Sequence, residues 1–230
     1  MPDKFVMLVE GPDDYHVLQH LLTRHGVNKQ IAYYLDGRSS QEPRLGDEAL
    51  VFKAREGVQN VLDYLSVQLK ITGDLVAVGV VVDADMDVSA RWQSLRDVLL
   101  KAGYANVPST PNTGGVILQQ EEKPRVGLWI MPNNTLPGMM EDFFRLLVPP
   151  RDTLWERAKL CLGDIPETER LFSENALIKA HVHTWLAWQE TPGLPMGQVI
   201  NRRWLNADAP EALQFIGWLR RLFALGEPQG

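Results

Sequence analysis

The most constraining feature of the sequence is an uninterrupted apolar run at residues 75–82 that ends directly at an aspartate, Asp83. A run this short, bounded by polar and turn residues and rich in valine, is typical of a strand rather than a helix. A strand without polar alternation is buried on both faces, as in parallel sheets that are covered by helices on both sides. The run therefore favours an α/β fold.

The rest of the first two thirds of the chain alternates between short apolar runs and amphipathic stretches. Apolar residues at helical spacing predict helices after the possible caps Asp13 and Asp14, and at residues 58–69, 92–99 and 138–148. Further strands are predicted at residues 4–9, 31–35, 116–118 and 126–131, and an exposed loop at residues 38–50. This alternation indicates a mainly parallel sheet.

The last third of the chain contains no convincing strand. Helices are predicted there at residues 154–162, 175–189 and 211–225. We therefore predict an α/β domain at residues 1–148, with a mainly parallel central sheet flanked by helices, and a helical C-terminal region at residues 149–230 that packs on it.

Charge and composition narrow the possible partners. The chain has 23 Lys and Arg against 29 Asp and Glu, a net charge of −6, and residues 1–145 alone carry net −5. Such a protein does not coat duplex DNA through a basic surface. We expect no membrane partner because the longest apolar run is far shorter than the roughly 20 residues of a membrane span. The single cysteine, Cys161, and the lack of a secretory signal pattern predict a cytoplasmic location.

Two groups of acidic residues follow predicted strands. Glu10 ends the first strand within Glu10-Gly-Pro-Asp-Asp14, and Asp83, Asp85 and Asp87 follow the apolar run at every second position. Sites in open parallel sheets form at the carboxyl ends of the strands, so these groups converge if their strands are neighbours. Several carboxylates at one point repel one another unless protons or a hard cation such as Mg²⁺, Mn²⁺ or Ca²⁺ neutralise them. The five histidines lack the His-Glu-x-x-His spacing of zinc sites.

Other interpretations of the three aspartates exist. An EF-hand loop requires Gly and Glu where Val88 and Ser94 stand, so it is rejected. A haloacid-dehalogenase-type phosphatase also has Asp-x-Asp after a hydrophobic strand, although there the motif opens the domain. A response-regulator receiver leaves Asp85 and Asp87 unexplained. The acids could also be solvated cap and loop residues.

The two motifs together resemble the Toprim domain of topoisomerases, bacterial primases, RNA-maturation nucleases and nucleases of the overcoming-lysogenization-defect type. The residues that carry the resemblance are Leu8-Val-Glu-Gly-Pro-Asp-Asp14 and Val80-Val-Val-Asp-Ala-Asp-Met-Asp87. The segment from Met131 to Asp142 is similar to small bacterial Toprim-like proteins without an assigned function. The resemblance covers residues 4 to about 145 and does not extend to the helical region.

The resemblance implies a Mg²⁺ (or Mn²⁺) site formed by Glu10, Asp83 and Asp85, with Asp87 beside them and Glu10 as general acid or base. It argues against a topoisomerase or a primase, because the chain has neither a second domain with a tyrosine nucleophile nor a zinc-binding region. Hydrolytic phosphoryl transfer is then the expected chemistry. Further candidates are Lys179, which is a candidate catalytic residue that could meet a scissile phosphate, and Asp14, Glu141 and Asp142 as additional acids.

The motifs lead to two hypotheses for the function. The first is a Mg²⁺-dependent nuclease, or a related phosphoryl-transfer enzyme, whose nucleic-acid binding (DNA or RNA) is weak without metal. The second is a non-catalytic Toprim-like module that binds metal or nucleotide and acts through a partner protein. No Gly-x-x-x-x-Gly-Lys-Ser/Thr motif occurs, so an ATPase that works with this protein would be a separate chain.

Overall fold

Strands and helices alternate through the first part of the chain, and helices alone form the rest. The computed structural model describes residues 4–27, 33–35, 49–70 and 73–225. Its strands are β1 (Phe5–Val9), β2 (Tyr33–Leu35), β3 (Leu50–Ala54), β4 (Ala77–Asp83), β5 (Val116–Leu118) and β6 (Arg125–Met131). Its helices are α1 (Pro12–Arg24), α2 (Val58–Gln68), α3 (Val88–Lys101), α4 (Met140–Leu146), α5 (Thr153–Gly163), α6 (Leu177–Ala187), α7 (Met196–Asn201) and α8 (Pro210–Phe223). The predicted α/β class is confirmed.

The strands form one sheet in the order β2-β3-β1-β4-β6-β5. Every neighbouring pair is parallel except β5 and β6, which are joined by the polar turn before Arg125 and run antiparallel. β1 and β4 lie side by side in the centre, with Leu8 opposite Val80. Because both strands run in the same direction, Glu10 and Asp83 emerge at the same edge of the sheet.

Helices cover both faces of the sheet, which explains why β4 shows no polar alternation. On β4, Val78, Val80 and Val82 pack on the face that α2 and α3 cover, whereas Ala77 and Val81 pack on the other face. That second face meets α1 and the C-terminal helices. The apolar run therefore supplies two hydrophobic cores at once.

The C-terminal helices share the second core with the sheet rather than forming a core of their own. Helix α8 lies against β4 and β6, and its Leu222 fills the space that a side chain would take at Gly79 and Gly127. The ring of Trp218 of α8 contacts that of Trp129 of β6 in a tilted arrangement, with the ring centroids 5.6 Å apart. Within the described residues, no helix combines the length and the apolar character that crossing a bilayer demands.

The structure differs from the sequence prediction in three elements. The predicted loop at residues 38–50 runs into strand β3, which begins at Leu50; its first part, and the start of the predicted strand at residues 31–35, lie outside the described residues. Helix α7 was not predicted, because six residues are too few to show a helical period. Helix α1 has its N-cap at Gly11, so Asp13 and Asp14 lie in its first turn.

Candidate active site

Glu10 and Asp83 meet at the carboxyl edge of the two central strands. The backbone N–H of Asp83 donates to Oε1 of Glu10 at 2.8 Å. The carboxylate of Asp83 is held in turn by helix α4, since the N–H of Met140 donates to its Oδ1 at 3.0 Å. Each bond engages one carboxylate oxygen, so the second oxygen of each side chain remains for a ligand.

Asp14 and Glu141 bring two more carboxylates to the same place. Asp14 lies in the first turn of α1, where its Oδ2 accepts the N–H of Gly11 at 2.8 Å. Glu141 lies in the first turn of α4 and is buried, with only 7% of its surface exposed. Burial, together with the negative charges of Asp14, Glu10, Glu141 and Asp85, raises the pKa of Asp83 to about 9. Carboxylates this close cannot all be ionised without a compensating charge.

The pKa values of Asp14 and Glu10 are raised as well. Burial, with the charges of Glu10 and Glu141, raises the pKa of Asp14 to about 6. Burial also raises the pKa of Glu10, although the N–H of Asp83 and the positive charges of Arg91 and Lys179 oppose that rise. The group therefore holds exchangeable protons near neutral pH, which is a property of acid–base sites.

Arg91 of α3 joins the site and was not among the predicted residues. Its Nη2 donates to Oδ2 of Asp85 at 2.6 Å, and its Nε donates to the carbonyl oxygen of Asp83 at 2.6 Å. The side chain is only 12% exposed, whereas that of Asp85 is 57% exposed. The sequence contained one signal for it: Arg91 lies one turn after the N-cap Asp87, and helical side chains point back towards the N-terminus.

Asp87 and Asp142 serve as caps. Oδ1 of Asp87 accepts the N–H of Ala90 at 3.0 Å as the N-cap of α3, and the side chain is exposed. Oδ2 of Asp142 accepts the N–H of Met139 at 2.9 Å at the start of α4. A helix cap accounts for the position and the hydrogen bond of Asp87, and its place in the metal-binding set stays a prediction.

Lys179 approaches the acidic group from α6. Its Nζ lies 3.6 Å from Oε1 of the buried Glu141. About half of the lysine side chain is exposed, so the ammonium group can be reached from solvent. This contact links the C-terminal helices to the edge of the sheet where Glu10 and Asp83 meet.

The donor set has the chemistry of a site for a hard divalent cation. Glu10, Asp14, Asp83 and Glu141 all offer oxygen, which Mg²⁺ and Mn²⁺ prefer, and burial together with acidic neighbours raises the pKa values of Glu10, Asp14 and Asp83. Among the described residues, no three acidic, histidine or cysteine side chains are already arranged to hold a metal ion. In the structure, Oδ2 of Asp85 is paired with Arg91 instead.

Comparison with known proteins places the chain in a family. A family model described as "Protein of unknown function (DUF3226)" matches residues 4–224, which is nearly the whole chain. No curated protein and no solved structure matches. The family match covers the sheet and the C-terminal helices together.

Proposed function

The chain belongs to the DUF3226 family, and we propose that it is a Mg²⁺-dependent nuclease that hydrolyses phosphodiester bonds of nucleic acid. One observation carries the proposal. The carboxylate of Glu10 lies against the backbone of Asp83, at 2.8 Å from its N–H, and the surrounding acids raise the pKa of Asp83 to about 9. A buried group of acids that repel one another needs protons or a cation to neutralise it, and a nuclease site uses metal.

The residues that would hold Mg²⁺ (or Mn²⁺) are Glu10, Asp83 and Asp85. When bound, such a cation supplies Lewis-acid stabilisation of the attacking and leaving oxygens of a phosphodiester. Arg91 would then keep its hydrogen bond to the carbonyl oxygen of Asp83, which fixes the end of β4 while the Asp85 side chain turns.

The reaction is the attack of water on phosphorus, with one new P–O bond formed and the ester P–O bond broken. The water loses a proton and the leaving oxygen gains one. Glu10 is the residue proposed to carry this proton, because its carboxylate lies at the end of β1 beside Asp83. Lys179, with its half-exposed ammonium group beside Glu141, is positioned to offset negative charge on the phosphate.

A second candidate function is a non-catalytic Toprim-like module that binds metal or nucleotide and acts through a partner protein. The ion pair between Asp85 and Arg91 favours it, because the pair neutralises one proposed ligand without a metal. Both functions agree with a cytoplasmic location, to which the exposed free thiol of Cys161 is suited.

A cleavage assay separates these functions. Labelled single- and double-stranded DNA and RNA are incubated with the protein in Mg²⁺, in Mn²⁺ and in EDTA. We expect metal-dependent cleavage that falls about 100-fold or more in Glu10→Gln, the scale of losing one acid–base group. The matched control is Glu122→Gln, an exposed glutamate in the turn before β6, which should cleave like the wild type.

Three results would contradict the nuclease. Cleavage that persists in EDTA, or that is unchanged in Glu10→Gln, would show that the proposed site does not catalyse the reaction. Mg²⁺ binding without cleavage of any of the four substrates would favour the module. Hydrolysis of p-nitrophenyl phosphate without nucleic-acid cleavage would favour a phosphatase of the haloacid-dehalogenase type.

A further inference from the structure

A groove of about 340 Å³ opens beside the acidic group, and its walls combine apolar faces with a few polar groups. It lies between the loop after β4, the segment that leads into α4, and the start of α6. The apolar walls include Met86, Met139 and Ile178, whereas Asn175 and His181 contribute polar groups. Its volume lies within the range of roughly 300–1,000 Å³ that small-ligand sites occupy.

The groove is continuous with the proposed metal site through Asp85. Asp85 lines the groove and is at the same time a proposed ligand. Its backbone is bridged to Gly138 in both directions: the N–H of Asp85 donates to the Gly138 carbonyl at 2.9 Å, and the N–H of Gly138 donates back at 2.7 Å. This bridge joins the groove wall to the end of β4.

Charge and shape decide which part of a ligand suits the groove. Asp85, Asp142 and Glu174 line it, so an anionic phosphate is repelled from the groove itself. A flat, uncharged ring is accepted more readily, because methionine thioethers such as those of Met86 and Met139 make favourable contacts with aromatic rings. Other lining residues, Asn175 and His181, offer hydrogen-bonding atoms to the edge of such a ring.

We propose that the groove binds the nucleobase of the nucleotide whose phosphate lies at Glu10 and Asp83. The inference rests on the proposed function and adds a base subsite to it. The phosphate stays on the metal side of Asp85, and the base attached to it enters between Met86, Met139 and Ile178.

The test uses the methionine methyl groups as reporters. The full chain is labelled with ¹³C at the methionine methyls and titrated in Mg²⁺ with adenosine 5′-monophosphate, or with ribose 5-phosphate, which carries the same phosphate and sugar without a base. Met86→Leu and Met139→Leu assign the two groove signals. Met7 in β1 and Met196 in α7 do not line the groove and serve as internal references.

We expect the mononucleotide to shift the signals of Met86 and Met139 and to leave Met7 and Met196 in place, with no response to ribose 5-phosphate. Ile178→Trp, which fills the groove, should raise the half-saturating nucleotide concentration at least tenfold. Leu213→Trp, at a half-exposed position on α8, should leave it unchanged. Equal shifts with ribose 5-phosphate, or an unaltered titration in folded Ile178→Trp, would overturn the base subsite.

Two outcomes distinguish the failure of the proposed base subsite from the failure of the proposed nuclease activity. A protein that cleaves nucleic acid while its groove methionines ignore the mononucleotide contradicts the base subsite alone. A protein whose groove methionines respond to the mononucleotide, but which cleaves none of the four nucleic acids, supports the base subsite and contradicts the nuclease.

Discussion

The carboxylate of Glu10 accepts a 2.8 Å hydrogen bond from the backbone N–H of Asp83, a residue 73 positions further along the chain. The bond joins the ends of the two central strands, β1 and β4. It also places the Glu10 side chain against an acid whose pKa is raised to about 9, further above its ordinary value than that of Asp14, which rises to about 6. The contact therefore concentrates negative charge and exchangeable protons at one edge of the sheet.

Asp83→Asn should stabilise the metal-free protein increasingly as the pH rises. Asn keeps the size of the side chain and can still accept the N–H of Met140 at Oδ1. Burial and its acidic neighbours raise the pKa of Asp83 from 3.8 to about 9, so the folded state favours the protonated form. The stability that this proton confers is complete below about pH 4 and is lost as the pH rises through 9. Thermal melts in EDTA should show the variant more stable by several kcal/mol at pH 9, since each unit of the pKa rise corresponds to about 1.4 kcal/mol, and nearly equal to the wild type at pH 4.

The matched control for this variant is Asp97→Asn, an exposed aspartate on α3 that accepts a bond from Gln93. The difference in stability between Asp97→Asn and the wild type should not grow as the pH rises. If Asp83→Asn melts far below the wild type at every pH, Asp83 is a structural hydrogen-bonding residue and the repulsion argument fails.

The sequence predicted the residues at the centre of the site but not the contacts between them. Glu10 and Asp83 were identifiable because each follows an apolar run, and the carboxyl ends of parallel strands meet at one edge. That β1 and β4 are adjacent depends on how the chain crosses over between them, which no local pattern reveals. Strand β3 was missed because its short apolar run, residues 49–52, follows a long polar stretch and ends at Lys53.

Arg91→Ala should destabilise the metal-free protein and strengthen its response to Mg²⁺. The change removes hydrogen bonds to the Asp83 carbonyl and to the Asp85 carboxylate, at a cost of about 2 kcal/mol in the free energy of unfolding. Without its arginine partner, the Asp85 carboxylate adds to the repulsion among the neighbouring acids, which bound Mg²⁺ would relieve. The rise in melting temperature on adding Mg²⁺ should therefore exceed that of the wild type.

The control for Arg91→Ala is Arg96→Ala on the same helix, since Arg96 donates to the carbonyl of Pro108 away from the acidic group. It should lose stability without changing the Mg²⁺ response. A smaller Mg²⁺ response in Arg91→Ala than in the wild type would mean that the arginine positions Asp85 for metal rather than competing with it.

Lys179→Met should abolish most of the cleavage at a moderate cost in stability. The lysine is half exposed but Glu141 is buried, so loss of the ammonium group leaves a buried carboxylate without its ion pair and should cost about 1–3 kcal/mol. Loss of a positive charge that offsets a developing negative charge should lower the rate by about 100-fold. Lys159→Met, which breaks the exposed pair with Glu156 on α5, is the comparison variant. Equal cleavage by both variants would exclude Lys179 from the reaction.

Substitutions at Asp87 distinguish a role as a helix cap from a role as a metal ligand. Asp87→Ala should lose about 1 kcal/mol of stability, and Asp87→Ser should recover most of it, because serine caps a helix nearly as well as aspartate. Both variants should show the wild-type rise in melting temperature with Mg²⁺. A well-folded Asp87→Ser protein without that rise would show that Asp87 is a metal ligand, as the sequence predicts.

The packing of helices accounts for the contacts of two basic residues in the site, of which the sequence predicted Lys179 but not Arg91. Arg91 and Lys179 both reach it from helices, and neither lies in the two acidic motifs. Arg91 projects from α3 towards Asp85, in the loop before that helix, and Lys179 projects from α6 towards Glu141 of α4. The roles of both residues therefore depend on how α3 and α6 pack. The groove beside Asp85 has the same origin, because its walls come from three separate segments.

The most direct test of the metal site is anomalous diffraction from a crystal of the full chain soaked in Mn²⁺, which replaces Mg²⁺ at oxygen-donor sites. We expect an anomalous peak within coordination distance of Glu10 and Asp83, with the Asp85 side chain turned away from Arg91. A crystal of Glu10→Gln soaked in the same way should lose that peak. A wild-type crystal with its manganese elsewhere, or with no peak between Glu10 and Asp83, would contradict the metal-dependent nuclease.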